Sequence, residues 1–354
     1  MASEASQRKE RDIRVVLEEG PEHEQSTLLE CVHLLHNALP ELNFDEVSTE
    51  CAFLGHRFSA PLLVDSMTGG SQLSAKVNAT IARVIERLGL GMGLGSQKVG
   101  LQHPELEESF RVAREQAPTA FIAANIGGAQ LASGLTLEDV KRIIDMVRAD
   151  ALVVHLNPMQ EALQVGGEPR YRGVLAALRE LTKQLSVPVI VKEVGSGISP
   201  DVAVKLQVAG VKAINVAGAG GTSWTAAEAI KAEEQGEAER ARLGRLFWSW
   251  GIPTAASLIL VRRAVRLPLI ASGGLRNGLE VAKCIALGAS MAAMAKPALE
   301  QALKGEEALA SFLEHVLRAL KLAMFGVGAP TVQALAQAKY VITPPLSHWV
   351  MPLG

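Results

Sequence analysis

The sequence predicts an α/β fold in which eight strands and their connecting helices form a (β/α)8 TIM barrel. Short apolar runs, rich in β-branched and small residues, alternate with segments of helical periodicity such as residues 137–147 and 171–184. This alternation is typical of a parallel sheet buried on both faces, and eight repeats favour closure into a barrel. The runs lie at residues 61–67, 89–98, 120–128, 151–161, 188–197, 213–224, 268–278 and 288–297.

A doubly wound sheet is the main alternative fold. If it bound a dinucleotide, such a sheet would be expected to carry a G-x-G-x-x-G turn after an early strand. The nearest glycine cluster, residues 89–95, has alternating glycines without that spacing. The barrel is therefore the favoured prediction.

Composition and charge narrow the class of partner. Aromatic residues make up 4% of the 354 residues, glycine occurs 32 times and the formal net charge is −2. This composition suits parallel strands and tight turns, and no basic block is long enough to bind nucleic acid or a membrane surface. We expect a small-molecule ligand, with no nucleic acid and no membrane as partner.

Cysteine usage and the N-terminus indicate the compartment. The 3 cysteines are widely spaced, which argues against a disulfide framework or a zinc cluster. The first residues carry charges where a secretory signal needs an apolar core, and no run of about 18 apolar residues is present. We expect a cytoplasmic enzyme.

Length and pattern predict one barrel with additions. Residues 1–60 are irregular and resemble an N-terminal extension that packs on a barrel formed by residues 61–354. The connection between predicted strands six and seven is unusually long. We interpret it as an insertion, about residues 225–267, that acts as a mobile lid or a subunit contact.

Polar residues follow nearly every predicted strand. In barrels of this kind the chemistry lies at the carboxyl ends of the strands. A single coincidental helix cap does not account for so many polar strand ends. The residues concerned are Met67 and Thr68, Ser96 and Lys98, Asn125, His155 with Asn157, Gln160 and Glu161, Lys192, and Thr222 with Trp224.

The fourth run, residues 151–161, carries the densest polar group. On a strand His155 and Asn157 share a face, and Gln160 and Glu161 then lie in the loop just beyond. The alternative is an ordinary capping turn, in which Asn157 begins the next helix and Glu161 decorates its first turn.

Lys192 interrupts the apolar fifth run. A lone ammonium group inside a barrel would cost several kcal/mol unless it is paired, so we expect an anionic group to meet Lys192. The alternative is that the strand ends there and Lys192 is solvated.

The last two runs predict a phosphate site. Residues 272–278 (SGGLRNG) and 294–299 (MAKPAL) each offer backbone N–H groups at a helix start, where the helix dipole favours an anion. Strands seven and eight commonly hold phosphate in this fold. One phosphate there, with Lys192, Asn125, Ser96 and Thr68 around the barrel mouth, describes a flavin mononucleotide (FMN) site. The alternative is that SGG is merely a turn.

Two neighbouring chemistries are disfavoured. An inosine-monophosphate dehydrogenase needs a cysteine nucleophile on a barrel loop, but Cys31 and Cys51 precede the first run and Cys284 follows the seventh. A 2-hydroxy-acid oxidase needs a histidine base followed by an arginine after a late strand, and no arginine follows His155 until Arg170.

Six motifs along the chain stand out: MTGG (67–70), GSQK (95–98), HLNPMQE (155–161), VKEVGSGIS (191–199), AGAGGTSW (217–224) and SGGLRNG (272–278). They resemble motifs of the type 2 isopentenyl-diphosphate isomerases, which depend on FMN. The similarity covers most of residues 8–297, and HLNPMQE with GGTSW is highly specific. It implies interconversion of isopentenyl and dimethylallyl diphosphate, reduction of the flavin by NADPH, bound Mg2+, and a homotetramer or octamer.

The resemblance also implies residue roles. Gln160 would lie beside the reacting carbons with His155, Glu161 would bind Mg2+, and Trp224 and Glu228 would form an active-site pair, although Glu228 could equally be an N-terminal helix charge. The substrate would be bound by Arg8, Lys9, Ser96, Gln97, Lys98, His155, Asn157 and Gln160. FMN would be held by Ser66, Met67, Thr68, Ser96, Asn125, Lys192, Thr222, Gly273, Gly274, Leu275, Arg276, Ala295 and Lys296.

Two positions depart from the family pattern. The family usually has arginine at Lys98, so a bidentate fork is replaced by a point charge. It usually has histidine at Asp12, which puts a carboxylate near an anionic substrate. We expect a shifted N-terminal arm or weaker binding there.

The reaction itself constrains the site. Moving a double bond requires protonation at one carbon and deprotonation two carbons away, through a carbocation-like barrier. Such a site should be dry, rich in π surface and anchored through the remote diphosphate. We hypothesise that reduced flavin acts as acid and base, that Lys192 stabilises its anionic form, and that Gln160 orients or relays. The alternatives are an FMN-dependent oxidoreductase of the same fold and a flavin-binding or assembly protein without activity.

Overall fold

The computed structural model describes residues 4–351, and within that range eight parallel strands close into a barrel in chain order. The predicted (β/α)8 fold is therefore confirmed. Closure is made by strand eight, which pairs in parallel with strand one through Ala292–Leu62 and Met294–Val64. The barrel strands are Leu62–Val64, Gly91–Gly93, Phe121–Gly127, Ala151–Leu156, Val189–Glu193, Ala213–Asn215, Leu269–Ala271 and Met291–Met294.

Strand residues alternate between the two sides of the barrel wall. One set of buried residues, which includes Leu63, Val153 and Ile190, forms a cluster inside the barrel. The intervening residues, such as Leu62 and Val154, join the larger core between strands and helices. Both faces of each strand are thus buried, as the continuous apolar runs indicate.

Helices follow the strands and begin at recognisable caps. The helix after strand one starts at Ser71, whose hydroxyl accepts a hydrogen bond from the Ser74 amide, and ends at Gly89 in the left-handed conformation. The α-helices of the barrel layer and C-terminal region are Gln72–Leu88, Lys98–Gln102, Glu108–Gln116, Gly128–Ala132, Leu137–Met146, Pro158–Leu163, Val174–Gln184, Pro200–Val208, Thr254–Ala264, Gly278–Ala286, Lys296–Lys304, Glu306–Gly326, Val332–Leu335 and Leu346–Trp349.

The N-terminal part of the chain covers both ends of the barrel. The hairpin Cys51–Phe53 and His56–Phe58 packs Phe53 and Phe58 against Phe121 inside the barrel, where it closes the end opposite the strand carboxyl termini. Further short helical turns lie at Val15–Glu19, Leu29–Cys31, Phe44–Glu46 and Pro104–Leu106.

The two ends of the chain meet in a small sheet. Strand Val32–Leu34 pairs antiparallel with strand Tyr340–Ile342, in the register Val32–Ile342. The sequence pattern did not predict this pairing. Partners separated by about 300 residues leave no periodic signal in either segment.

Three helices lie at the carboxyl end of the barrel, around its mouth. The arm helix is Glu4–Arg14, the first insertion helix is Trp224–Glu234, and the second insertion helix is Ala238–Leu246. The rest of the long connection is the helix Thr254–Ala264, which packs on barrel strand seven. None of the helices in the described part of the chain combines the length and apolarity needed to cross a bilayer.

Candidate active site

A cavity of about 270 Å3 opens at the carboxyl ends of the strands, beneath the arm helix. The sequence-predicted residues that line it come from the arm, the strand ends and the insertion. They are Arg8, Lys9, Ser66, Met67, Thr68, Ser96, Asn125, His155, Asn157, Gln160, Glu161, Lys192, Thr222, Trp224, Gly273, Gly274, Leu275, Arg276, Ala295 and Lys296.

The uppermost layer inside the barrel is polar. Residues two positions earlier on the same strands, including Ala123, Val153 and Ile190, belong to the apolar cluster inside the barrel. Because strand side chains alternate with period two, the next inward positions carry the polar groups to the mouth. These inward residues are Asp65, Asn125, His155, Lys192 and Asn215, and His155, Lys192 and Asn215 are direct partners in the strand register.

Lys192 meets an anionic group, as its position in an apolar strand requires. Its ammonium nitrogen lies 3.2 Å from Oδ2 of Asp65 and donates to the Glu193 carbonyl at 2.9 Å. Lys192 and Asp65 are both 7% exposed. Lys192 is therefore not solvated, which excludes the alternative that the strand simply ends there. Asn215 donates to Asp65 and accepts a hydrogen bond from the Ser272 hydroxyl at 2.7 Å.

The sequence prediction overlooked Asp65 and Asn215. Counting two positions on from Leu63 and Ala213, both inside the barrel, would have identified them as inward-facing groups. Their partners explain their presence, because a buried carboxylate and a buried ammonium group are stable only as a hydrogen-bonded pair.

His155 is neutral. Burial, aided by the positive charges of Lys9 and Lys192, lowers the pKa of His155 to about 3. Its Nδ1 lies 2.8 Å from Oδ1 of Asn125, which accepts a hydrogen bond from the ring N–H. The second ring nitrogen is then an acceptor in the uncharged tautomer.

Asn157 begins a helix and also lines the cavity, so both interpretations of the fourth strand end apply. Proline follows it in the first helical turn. The side-chain Nδ2 of Asn157 donates to Oε1 of Gln160 at 3.0 Å and to Oε1 of Glu161 at 3.1 Å. The Tyr171 hydroxyl donates to Oδ1 of Asn157 at 2.8 Å. Gln160 in turn donates from Nε2 to Oε1 of Glu228 at 3.1 Å.

The side of the cavity formed by strands one and two fits the polar edge of a flavin. Within the described residues, the hydroxyls of Ser66, Thr68 and Ser96 are buried without a hydrogen-bond partner. All three residues line the cavity near Lys192 and Asn125. Unpaired buried hydroxyls are costly, so a ligand with several donors and acceptors is expected to satisfy them.

The side formed by strands seven and eight fits a phosphate. Oε1 of Glu22 lies 2.8 Å from the ammonium nitrogen of Lys296 and 3.2 Å from a guanidinium nitrogen of Arg276. Burial alone would raise the pKa of Glu22, but the hydrogen bond from Lys296 and the charge of Arg276 outweigh it and lower that pKa. The carboxylate occupies the position of an anion and stands in for a phosphate group.

Glu22 belongs to the strap, residues 20–27, which crosses the mouth. The strap is tied down by the His23 amide, which donates to the Gly221 carbonyl at 2.8 Å, and by Trp248, whose indole donates to the Glu22 carbonyl at 2.8 Å.

Glycines form the floor of the phosphate end. Gly273 and Gly274 have positive φ angles of 97° and 80°. A Cβ at Gly273 would lie 2.1 Å from the carbonyl oxygen of Gly218, and a Cβ at Gly274 would lie 2.4 Å from that of Gly220. Only glycine fits where these two loops pass so closely.

One expectation about this end is corrected. The helix after strand seven is capped by its own side chains, since Asn277 accepts from the Glu280 amide at 3.0 Å and Glu280 accepts from the Arg276 amide at 2.6 Å. The amides of Arg276 and Glu280 are therefore not open to an anion, which narrows the phosphate site that the sequence predicts at this helix start. The helix that begins at Lys296 has no side-chain cap among the described contacts, so it retains that capacity.

Some predicted substrate and catalytic residues lie outside the cavity lining. Gln97 is fully buried, with its amide donating to the Ile143 carbonyl at 3.1 Å and accepting from the Asn125 amide at 3.1 Å. Because both ends of this side chain are already bonded, it supports strand three instead of facing the substrate. Lys98 is not in the lining and pairs at 3.7 Å with Glu168, whose backbone amide donates to the lining residue Glu161.

Glu228 also lies outside the lining, directly behind Gln160. It is 3% exposed, and its Oε1 accepts from Lys231 at 2.8 Å. Burial raises the pKa of Glu228, and the charge of Lys231 is the largest opposing influence. Glu228 therefore acts on the cavity through Gln160.

The arm helix brings Arg8 and Lys9 to the cavity. Burial lowers the pKa of Lys9, which Asp12 only partly opposes. Asp12 pairs with Lys231 at 2.7 Å, so its negative charge is balanced and does not stand alone beside an anionic substrate.

A metal would have few protein ligands. Among the described residues, no group of three histidine, cysteine, aspartate or glutamate side chains is arranged to hold one. Within the described range, the lining holds three carboxylates, of which Asp65 and Asp12 are paired with Lys192 and Lys231, and Glu161 is the third. That donor set fits Mg2+ bound through one carboxylate, phosphate oxygens and water.

Comparison with known proteins places the chain among flavin barrels. Residues 102–342 match the FMN-dependent dehydrogenase family. Two solved structures share the fold at low identity: a mandelate oxidase with a TM-score of 0.64 and 19% identity, covering 90% of each chain, and a lactate oxidase of Pediococcus acidilactici with a TM-score of 0.66 and 15% identity, covering 97% of this chain and 96% of the other.

Relatives of much higher identity share nearly the whole chain. An isopentenyl-diphosphate delta-isomerase of Ignicoccus hospitalis is 44% identical over 99% of this chain and 97% of its own length. Proteins of the same name from Metallosphaera sedula and Methanosarcina mazei are each 46% identical, over 98% and 97% of this chain and 95% and 93% of their own.

Proposed function

The chain belongs to the isopentenyl-diphosphate delta-isomerase family, and on that premise we propose that it interconverts isopentenyl diphosphate and dimethylallyl diphosphate by a 1,3-allylic proton shift with FMN in the barrel mouth. The observation that carries the proposal is that groups suited to a flavin and groups suited to a diphosphate line one cavity.

The flavin would be held along the strand ends. Ser66, Thr68 and Ser96 would satisfy its polar edge, Lys192 would lie at the ring, and Lys296 would hold the phosphate. Met67, Asn125, Thr222, Gly273, Gly274, Leu275, Arg276 and Ala295 complete the set that we assign to this cofactor. Bound in reduced form, FMN would supply an electron-rich face and an exchangeable proton for acid and base chemistry.

The diphosphate would be held by the arm and the fourth strand end. Arg8 and Lys9 supply positive charge, and the buried ammonium of Lys9, whose pKa is lowered, gains from an anionic neighbour. Asn157 offers an amide donor. A diphosphate beside the neutral imidazole of His155 would also favour a proton on that ring.

The hydrocarbon part of the substrate would then lie against Gln160 and Trp224. Gln160 is held by Glu228 and is an orienting or relaying group, since an amide is not a strong acid. Trp224 contributes aromatic surface, which favours a cation-like transition state. Binding energy from the remote diphosphate positions the alkene.

We also propose Mg2+, with Glu161 as its protein ligand beside the diphosphate, and NADPH as the reductant of the flavin. The chemistry of the Glu161 carboxylate and the resemblance to the family support these assignments. We propose a homotetramer or octamer on the resemblance to the family, and exposed apolar side chains on the connection between strands six and seven, where Leu246 is 76% and Trp250 55% exposed, could take part in a subunit contact. We propose the cytoplasm as its location.

The second candidate function is an FMN-dependent oxidoreductase. The match of residues 102–342 to the FMN-dependent dehydrogenase family favours it.

The test is to load the protein with FMN, reduce it, add isopentenyl diphosphate with Mg2+, and follow the products by NMR. We expect dimethylallyl diphosphate, and we expect Glu161→Gln to require more Mg2+ for the same rate. A purified protein that is colourless and binds no added FMN, or one that forms no dimethylallyl diphosphate, would contradict the proposal.

A further inference from the structure

We propose that Lys231, paired with Asp12 of the arm helix, is a positioning residue that fixes the Gln160 amide through Glu228. The inference rests on the proposed function, in which Gln160 lies beside the reacting carbons. It adds to that function a coupling between the arm and the reacting end of the substrate.

A continuous chain of short contacts links the arm to Gln160. The ammonium nitrogen of Lys231 lies 2.7 Å from Oδ1 of Asp12 and 2.8 Å from Oε1 of Glu228. The same Glu228 oxygen accepts the hydrogen bond from Nε2 of Gln160 at 3.1 Å. Because Oε1 of Gln160 accepts from Asn157 at 3.0 Å, both ends of the amide are held and its orientation is determined.

The pair is buried, so the charge of Lys231 is needed there. Lys231 is 7% and Glu228 3% exposed. An ionised carboxylate at that depth is stable only beside a cation, and Lys231 is the cation that contacts it. If Glu228 were to take up a proton, it could donate to Gln160, and the amide would lose the partner that now sets its orientation.

Asp12 is the second carboxylate that contacts the Lys231 ammonium group, and this contact attaches the arm helix to the first insertion helix. Burial alone would lower the pKa of Lys231, but Asp12 and Glu228 outweigh it and raise that pKa. The arm is also joined to the first insertion helix by Arg11 and Arg14, which each pair with Glu234 at 2.6 Å. The residue that departs from the family pattern thus has a specific partner in this chain.

The two roles of Lys231 have a functional consequence. The arm carries Arg8 and Lys9, which we assign to the diphosphate, while Glu228 holds Gln160, which we assign to the reacting carbons. One buried ammonium group therefore connects diphosphate binding to the orientation of the amide.

The experiment compares Lys231→Met, Lys231→Arg, Asp12→Asn and the double variant Lys231→Met with Asp12→Asn, all loaded with FMN. Steady-state kinetics and the dissociation constant of FMN are measured for each. The matched control is Arg245→Met, which breaks the exposed Arg245–Glu233 pair on the two insertion helices. Hydrogen exchange of residues 4–14 reports docking of the arm.

We expect Lys231→Met to lower kcat about tenfold or more with FMN affinity unchanged within about twofold, because the flavin contacts are not touched. Lys231→Arg should restore most of kcat. Asp12→Asn should raise KM and speed exchange in the arm, with a smaller loss of kcat. The double variant should be no slower than Lys231→Met, because both changes act on one network. Arg245→Met should match the unaltered enzyme.

A Lys231→Met enzyme with unchanged kcat overturns the inference, and so does one in which FMN affinity falls in parallel with kcat. If Lys231→Met does not fold, Asp12→Asn decides: unchanged KM and unchanged exchange in the arm then overturn it. Absence of isomerisation by the unaltered enzyme would instead contradict the proposed function, so the two failures are distinguishable.

Discussion

The ammonium nitrogen of Lys296 lies 2.8 Å from Oε1 of Glu22, a carboxylate that the strap places at the phosphate end of the cavity. The same oxygen contacts Arg276 at 3.2 Å. If Lys296 and Arg276 hold the flavin phosphate, as we propose, that phosphate displaces the Glu22 side chain, and we predict that binding of FMN is coupled to a local rearrangement of the strap.

Glu22→Gln should bind FMN more tightly. Removal of the competing charge is expected to lower the dissociation constant roughly three- to tenfold, the range of a partly exposed ion pair. Fluorescence quenching of FMN on titration with protein measures it. The matched control is Glu24→Gln, which makes the same charge change at an exposed position of the strap. Weaker FMN binding by Glu22→Gln would show that Glu22 helps to build the site instead of competing for it.

Lys192→Met should destabilise the fold strongly. It leaves the buried Asp65 carboxylate without its counter-ion, which costs about 3–5 kcal/mol in the free energy of unfolding. The double variant Lys192→Met with Asp65→Asn should recover most of that loss while still binding FMN poorly, because the ammonium group at the flavin remains absent. Urea unfolding and FMN titration separate the two effects. Equal stability of the single and double variants would contradict the pairing.

The interior residues show how far sequence reasoning reaches. Continuous apolar runs predict each barrel strand, and they identify His155 and Lys192 because a polar residue in a buried strand is a visible break in the pattern. A period-two count reaches Asp65, but that residue lies inside the first run, residues 61–67, and was not singled out there. Its role depends on Lys192, which is distant in sequence and becomes a neighbour only after barrel closure.

Other features leave no local pattern at all. The orientation of Gln97 is decided by its hydrogen bonds with the Ile143 carbonyl and the Asn125 amide, and motif similarity could not show that its side chain lies outside the cavity lining. The pairing of Val32–Leu34 with Tyr340–Ile342 and the placement of Glu22 at Lys296 likewise depend on contacts between distant parts of the chain.

Gln97→Leu should act on stability and not on substrate binding. It leaves the Ile143 carbonyl and the Asn125 amide without partners, at about 1–3 kcal/mol for each group that stays buried and unpaired. KM for isopentenyl diphosphate should change by less than about twofold. The contrasting variant is Ser96→Ala. The Ser96 hydroxyl has no hydrogen-bond partner among the described residues, so its loss should weaken ligand binding with little effect on the free energy of unfolding. A large rise in KM for Gln97→Leu at unchanged stability would instead support the direct contact between Gln97 and the substrate that the resemblance implies.

His155 should make the folded protein sensitive to acid. Its folded pKa of about 3 lies below the ordinary value of 6.5, so the unfolded chain binds more protons between those limits. The contribution of His155 to the free energy of unfolding is therefore fully present above about pH 6.5 and declines as the pH falls towards 3.

Urea unfolding of wild type and His155→Asn at pH 4.5 and pH 7 checks this. The loss of stability on acidification should be smaller in His155→Asn, with His315→Asn as the exposed control. Equal losses in wild type and His155→Asn would show that His155 is solvated in the folded chain.

The most direct measurement of the central claim is the ratio of product to nicotinamide. FMN-loaded enzyme is reduced with a small amount of NADPH and given excess isopentenyl diphosphate and Mg2+, while dimethylallyl diphosphate is measured by NMR and NADPH by absorbance. An isomerase forms many molecules of dimethylallyl diphosphate for each NADPH oxidised, since the proton shift causes no net redox change. Stoichiometric consumption of NADPH, or no dimethylallyl diphosphate from the reduced enzyme, would contradict the account.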